Sequence, residues 1–577
     1  VFPFIRLLNA RRASVVRQAF SLPDVAVVLM VIAVILVVGQ ISRTPVNSPA
    51  AALTYRVSLN YWGLPLLAAR STLRMVIGLI FSFVFAVLFG TIAARVKALE
   101  ALFVSLLDVL QSVPVLAFIA ASAGFFINLF PHSAFGLECM SVFAVFSSQA
   151  WNMGFSYYQS LKGQPRDLTE AVTVFRLDKW TRFFKLDLPS GAIGLVWNAM
   201  MSFGGGWFFV AYSESTTIND RTYILPGLGS YLAEAAHQRD VGALVASILT
   251  MVIVLVAVDQ FFWRPLVAWT ERYRLDRTAT QAEPAQSWFL DLLVDARLPK
   301  FLVKWWSTVV ARMARKTPVI PVRRTVRLPV DAGTLTGIVM GLGIAFGVWQ
   351  LVVFLRDTSS LKDLALLGGM ATLTFVRVLV VVVVSSVVWV PVGVWIGLNT
   401  TLAKRVMPVV LILSAFPTIF VFPLITSIFL AARINIDYGS TLLLMLGAQW
   451  YVLFNVIAGA SSIPSDMRDM ARSIGLKGWG LWRRVYLPAV FPSWVAGAVT
   501  ASGGAWNASI ACEYVQWGND RVLKAHGLGA YITEMSARGA QGNVLLGAAV
   551  MCVFVVVTNR LAWQRLSNLA ETRYGMV

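Results

Sequence analysis

Four charged side chains stand within or beside long apolar runs: Asp108, Glu214, Arg377 and Glu513. A charge at membrane depth is costly and needs a reason. One reason is a solute pathway or its gate, lined by some of these groups. The other is structural: Arg377 would snorkel to the interface, and Asp108 would hydrogen-bond, for instance to a helix end. Glu214 in "AYSES" and Glu513 in "ACEYV" lie at membrane depth or at its rim, and a "GLG" turn follows each. Covalent and metal chemistry have little to work with. Cys139, Cys512 and Cys552 are far apart, without metal or disulfide spacing, and read as packing residues. The three histidines form no cluster. No G-x-x-x-x-G-K-[ST] phosphate loop occurs, so any ATP is bound by another polypeptide, and no cofactor is expected in this chain. No nucleophile, metal cluster or carboxylate pair converges, which argues against an enzyme.

The elements that position these charges are membrane helices. Hydrophobic residues make up 58% of the 577 and charged residues 13%, against about 25% charged in a soluble domain. Unbroken apolar runs such as 25–41, 75–92, 333–355 and 376–398 approach or reach the length of a spanning helix. A barrel would show short alternating segments instead. The net charge of +20 does not imply nucleic acid, because the basic residues flank apolar spans as the positive-inside rule requires. Arg6, Arg11, Arg12 and Arg17 precede the first span, which reads as an uncleaved anchor entering from the cytoplasm. A first residue other than Met leaves room for a few native residues upstream.

The chain is written twice. Pro165, Trp180 and Pro189 recur 299 positions later as Pro464, Trp479 and Pro488. "FGGGWFF" (203–209) faces "SGGAWNA" (502–508), "GLGSYL" faces "GLGAYI", and "LQSVPVLAF" faces "LSAFPTIFV". Six spans are expected per half, near 25–41, 72–94, 101–130, 136–159, 189–211 and 241–264, then 333–355, 372–398, 405–431, 439–460, 488–511 and 541–563. An even number per half gives both halves one orientation, a parallel repeat. The N- and C-termini are then cytoplasmic. The expected fold is an all-α polytopic protein of about twelve transmembrane helices. Its parts are a first repeat (1–274), a basic cytoplasmic connector (275–329) and a second repeat (330–577). Within the connector, 301–316 has apolar and basic faces, as a helix lying on the inner interface would; a flexible linker is the alternative. Trp207 and Trp506, beside paired glycines that allow close helix approach, are candidates for the pathway or for tight packing.

After the fourth span of each half comes a charged loop. Pro165, Asp167 and Glu170 suit a helix start, and Pro464, Asp466 and Asp469 repeat them. Leu177, Trp180, Phe183 and Leu186 then recur every third residue, matched by Leu476, Trp479, Trp482 and Val485. That pattern predicts a short amphipathic helix or helix pair whose apolar side meets the membrane surface or a protein. A defined acidic start, fixed spacing and two copies favour a protein.

This loop resembles the "EAA" motif of permease subunits of binding-protein-dependent ABC importers: E-A-A, three residues, G, nine residues, I-x-L-P. Glu170, Ala171 and Val172 open the first copy and Leu186, Leu188 and Pro189 close it, with Arg176 at the glycine position. Asp469, Met470 and Ala471 open the second, Gly475 keeps the glycine, and Val485, Leu487 and Pro488 close it. The acid before the "GLG" turn is similar to the nitrate/sulfonate/taurine permease group; fused permeases also occur in the ferric-iron and thiamine groups. The resemblance implies a type I importer-like fold at the bacterial inner membrane. It also implies two ABC ATP-binding subunits carrying ATP and magnesium, and an extracytoplasmic solute-binding protein. Glu170, Ala171, Arg176, Leu177, Trp180, Asp469, Ala471, Gly475, Leu476 and Trp479 would lie at the ATPase contacts, and Arg176 would make the two contacts unequal. The implied solute is a small anion such as nitrate, a sulfonate, taurine or bicarbonate. A twelve-helix secondary transporter would instead carry a basic motif between spans two and three, where this chain has "TIAARVKALE". A membrane scaffold driven by an ATPase would show turnover that no solute stimulates.

Overall fold

Proline and apolar length set where the helices begin and break. The computed structural model describes residues 57–270 and 361–574, apart from 113, 131–134, 176, 178, 219–220 and 519–520, with isolated positions between 345 and 353. The expected span 25–41, almost all of 333–355, and the connector with its interfacial helix lie outside the described residues. In the first half α1 (Leu64–Arg95) opens with a proline in its first turn, where a missing N–H costs nothing. The expected span 101–130 is two helices, α2 (Lys97–Ser112) and α3 (Val115–Leu129), parted at Pro114 in an extended conformation. Its repeat is α12 (Thr400–Ala415) and α13 (Phe422–Ala431), parted at Pro417. These breaks correct the continuous spans expected there. Proline removes a donor and clashes with the preceding turn, and the apolar composition on either side hides the break from a hydropathy reading.

The remaining order is the same in both halves. A long helix, α4 (Phe135–Lys162) or α14 (Ile436–Ser461), leads to two short ones. These are α5 (Arg166–Val174) with α6 (Lys179–Arg182), and α15 (Ser465–Ser473) with α16 (Gly478–Leu481). A π-helical turn (Phe183–Asp187; Trp482–Tyr486) then feeds α7 (Leu188–Ser213) or α17 (Leu487–Cys512). Next come hairpins that the helical reading missed, β1–β2 (Ser215–Ile218, Arg221–Ile224) and β3–β4 (Tyr514–Trp517, Arg521–Lys524). Their signal was present, since β-branched and aromatic residues flank Asn-Asp at 219–220 and 519–520. Each half closes with α8 (Leu228–Gln238), α9 (Val241–Val258) and α10 (Arg264–Thr270), or α18 (Leu528–Ala537), α19 (Gln541–Thr558) and α20 (Gln564–Arg573). The second half begins with α11 (Leu361–Gly397). Seven helices among the described residues are long and apolar enough to cross a membrane.

Within each half the long central helix is the hub: α4 packs on α1 and α7, and α14 packs on α11 and α17. The halves are joined by exchange. The half-helix α3 packs against α17 and α19 of the second half, while α12 packs against α7 and α9 of the first. Leu116, Ile119 and Tyr223 belong to the core of the second half, and Phe420 and Trp517 to that of the first. Charged loop and hairpin lie at opposite ends of α7, a 26-residue helix about 39 Å long at 1.5 Å per residue.

Candidate functional site

Three features of the duplicated fold could serve function: a cavity between the halves, a buried charge cluster in each half, and the two charged loops. The cavity is about 470 Å³. The breaks at Pro114 and Pro417 form part of its wall, and α4, α7, α14 and α17 form most of the rest. Gly204 and Gly205 face it from α7, and Gly503 and Gly504 from α17. A Cβ at Gly503 would meet nothing within 4 Å, so the backbone there borders open space. Every polar side chain on the described wall is neutral: the amides of Gln111, Asn152, Asn198, Asn455, Asn507 and Asn559, indoles such as Trp151, and hydroxyls including Ser148, Thr500 and Tyr451. The two halves contribute unlike groups at equivalent positions. Asn507, for example, stands where the first half has Phe208, and its Oδ1 accepts from the Val115 N–H at 2.6 Å, tying α17 to the start of α3. Trp506 is on the wall, whereas Trp207 borders a smaller void of about 60 Å³ behind it. Both indoles are buried among apolar neighbours.

Of the charges flagged in the sequence, Glu214, Arg377 and Glu513 do not line the cavity. Glu513 is fully buried and its Oε1 accepts from Arg377 at 2.8 Å, while Arg377 also reaches Asp437 at 2.9 Å. Arg377 is therefore held in a buried ion pair and does not snorkel. The first half builds the same cluster: Arg74 with Glu214 at 2.7 Å and with Glu138 at 2.6 Å. Ser71 donates to Glu214 at 2.6 Å, as Thr374 donates to Glu513 at 2.9 Å. Arg74, Glu138 and Ser71 were missed, although the repeat offset carries Arg377 onto Arg74. Buried charges persist when they are paired and hydrogen-bonded. Here the carboxylate has a further task. Glu214 accepts the Gly229 N–H at 2.7 Å and Glu513 the Gly529 N–H at 2.8 Å, so each acid anchors the first turn of the following helix. The charge-bearing helix α1 or α11 is thereby tied to α7 or α17 and to α8 or α18.

The "GLG" sequence follows from this geometry. A Cβ at Gly227 would lie 2.1 Å from the Glu214 carboxyl carbon, and one at Gly527 2.2 Å from a Glu513 oxygen. A Cβ at Gly229 would lie 2.2 Å from the Ala211 carbonyl oxygen, so α8 would have to lift from α7. Gly229→Ala is expected to destabilise the protein by about 1–3 kcal/mol through this overpacking. The check is the heat-unfolding midpoint in one detergent, with Gly503→Ala, which meets open space, as the unshifted comparison.

Both charged loops are helix pairs. The Leu177 N–H bonds the Val172 carbonyl at 3.1 Å, and the Leu476 N–H bonds the Ala471 carbonyl at 3.0 Å. The second loop turns at Gly475 with φ +78°, the left-handed conformation that glycine adopts without penalty. Its counterpart Arg176 lies outside the described residues. Glu170, Leu177 and Trp180 are exposed, as are Asp469 and Trp479. Phe175 and Ile474, equivalent residues that the sequence reading did not single out, are also exposed, at 73% and 69%. Ala171 is half-buried. Ala471 is buried at 3% and Leu476 packs on the same core, so these two seat the loop on its own bundle. Asp108 lies on α2, and its side chain is outside the described residues.

The family of binding-protein-dependent transport system inner membrane components matches the chain twice, over 86–262 and 389–564. The chain is 26% identical over 171 residues to the nitrate import permease protein NrtB of Synechococcus elongatus, a match covering 30% of this chain and 56% of the relative. The same-named protein of Leptolyngbya laminosa is 24% identical over 165 residues, covering 29% and 55%. The diacetylchitobiose uptake system permease protein NgcG of Streptomyces coelicolor is 29% identical over 111 residues, covering 19% and 36%. The chain spans about half the length of the nitrate permeases it matches. No solved structure matches it.

Proposed function

This chain belongs to the family of binding-protein-dependent transport system inner membrane components, and on that premise we propose that it conducts a small anion between two pseudo-symmetric halves. It is a permease of ABC importers, with two membrane-embedded repeats in one polypeptide. In the proposed cycle a solute-binding protein delivers at the hairpin end, outside the bacterial inner membrane. Separate ATP-binding subunits, one at each docking loop, rock the halves from the cytoplasmic end, where both termini lie.

The observation that carries the solute class is the cavity wall, whose described polar side chains are hydroxyls, amides and indoles able to donate to an anion. A ferric ion would call for a hard oxygen cage rich in carboxylates, and both buried glutamates are instead committed to arginines. The two nitrate permeases among the relatives point the same way.

The test is uptake into vesicles holding the permease, its ATPases and its binding protein, with labelled nitrate, taurine, bicarbonate and ferric ion offered in turn. One of the anions is expected to accumulate, and Asn152→Asp to reduce that uptake at least about tenfold by placing a like charge on the wall of its path. Accumulation of ferric ion alone, or anion uptake indifferent to Asn152→Asp, would sink the assignment.

A further inference from the structure

The hairpin ends of the two halves keep one charge design, but the docking ends do not. In the first half the Asp187 carboxylate is buried at 3% beneath the docking loop. It pairs with Arg95 at the end of α1, accepts from Gln164 at 3.2 Å, and lies 3.6 Å from Arg182. Gln164 also accepts from Arg95 at 2.8 Å and donates to Ser190 at 2.6 Å. The repeat offset carries Arg95, Gln164, Arg182, Asp187 and Ser190 onto Leu398, Ile463, Leu481, Tyr486 and Ala489. All five of these replacements belong to the apolar core of the second half or pack against it, and the Tyr486 ring lies 5.7 Å from that of Trp482. Polar ties beside this apolar anchor run from Arg468 to the Leu398 carbonyl at 3.3 Å and from Ser461 to the Gly397 carbonyl at 3.2 Å. Nearby, Glu100 bonded to Lys162 at 2.6 Å and to Tyr158 at 2.7 Å stands where the second half has Ala403, Ser461 and Ile457.

We propose that the two ATPase seats are anchored by unlike devices: the first loop is tied to α1 through the buried carboxylate of Asp187, and the second through apolar packing around Tyr486. This rests on the reading of both loops as docking sites. An ion pair holds its partners in one geometry and is lost whole when one group is removed, because the other is left buried and uncompensated. Apolar packing is spread over many contacts and yields in proportion to what is deleted. Asp187 is thus a positioning residue for the first seat, and each seat passes force to its bundle by its own route.

The experiment uses the assembled complex, with one cysteine placed at Phe175 or at the equivalent Ile474 and Cys139 replaced. Cross-linking to the ATP-binding subunit is read alongside solute-stimulated and basal ATP hydrolysis. Asp187→Ala is expected to lower cross-linking at Phe175→Cys several-fold, leave Ile474→Cys unchanged, and bring stimulated hydrolysis towards the basal rate. Transplanting the second anchor into the first half with Arg95→Leu, Gln164→Ile, Arg182→Leu, Asp187→Tyr and Ser190→Ala restores both readouts, whether or not the single variant folds. Equal losses at both positions, no loss at either, or a transplanted protein that stays uncoupled would each overturn the proposal. Complexes carrying Phe175→Cys or Ile474→Cys with Asp187 intact that cross-link at neither position would remove the docking reading itself, a result distinct from those three.

Discussion

Arg377→Met is expected to destabilise the protein by about 3–5 kcal/mol, because it leaves the Glu513 carboxylate buried without its counter-charge. The size follows from burial: side-chain exposure is 9% for Arg377 and 0% for Glu513. Water cannot screen what remains. The Thr374 hydroxyl and the Gly529 N–H still donate to Glu513, but they are dipoles where a full charge stood. Adding Glu513→Gln should return part of the loss, since a neutral amide can still accept from Gly529 and donate to a neighbour. Unfolding midpoints of the two single variants and the double variant, in one detergent, give the coupling directly. If the two single losses simply add, the pair is not the unit described. Arg74→Met should behave alike in the first half, where Glu138 takes the place of Asp437.

That cluster shows how far the sequence could be read. Glu214, Glu513 and Arg377 stood out as charges near apolar runs, and the repeat made the two glutamates equivalent. Pairing them required knowing that α11 lies against α17, which no local pattern encodes. Arg74 escaped notice because it ends the polar stretch "RSTLR" just before an apolar run and resembles a flanking positive charge. The helix pairs of the charged loops were legible because proline, spacing and duplication are local signals. Their burial was only half legible: Ala471 belongs to the motif yet turns inward, while Phe175 and Ile474 lie outside the expected stripe and are exposed. The breaks at Pro114 and Pro417 were hidden by apolar residues on both sides. The cavity was invisible for a different reason. Its wall gathers single residues from helices of both halves, and only packing brings Asn152, Asn507 and Pro417 together.

Gly503→Trp is expected to stop solute uptake while leaving the fold and the charged loops intact. Gly503 is an exposed position of α17 on the cavity wall, and its backbone faces open space. A Cβ there meets nothing within 4 Å, so an indole is expected to extend into the cavity of about 470 Å³. The equivalent glycine of the first half would not serve. A Cβ at Gly204 would lie 2.9 Å from that of Ala415, where the halves touch, so bulk there would part α7 from α12. The two substitutions thus separate blocking a path from breaking an interface. With Gly503→Trp, uptake should fall at least about a hundredfold, equivalent to about 2.7 kcal/mol on the limiting barrier, while the unfolding midpoint and basal ATP hydrolysis stay at wild-type values. With Gly204→Trp the midpoint itself should drop. Uptake that survives the indole at Gly503 would mean that solute crosses elsewhere. The neutral wall between the halves would then be a packing defect filled with water, and not the route.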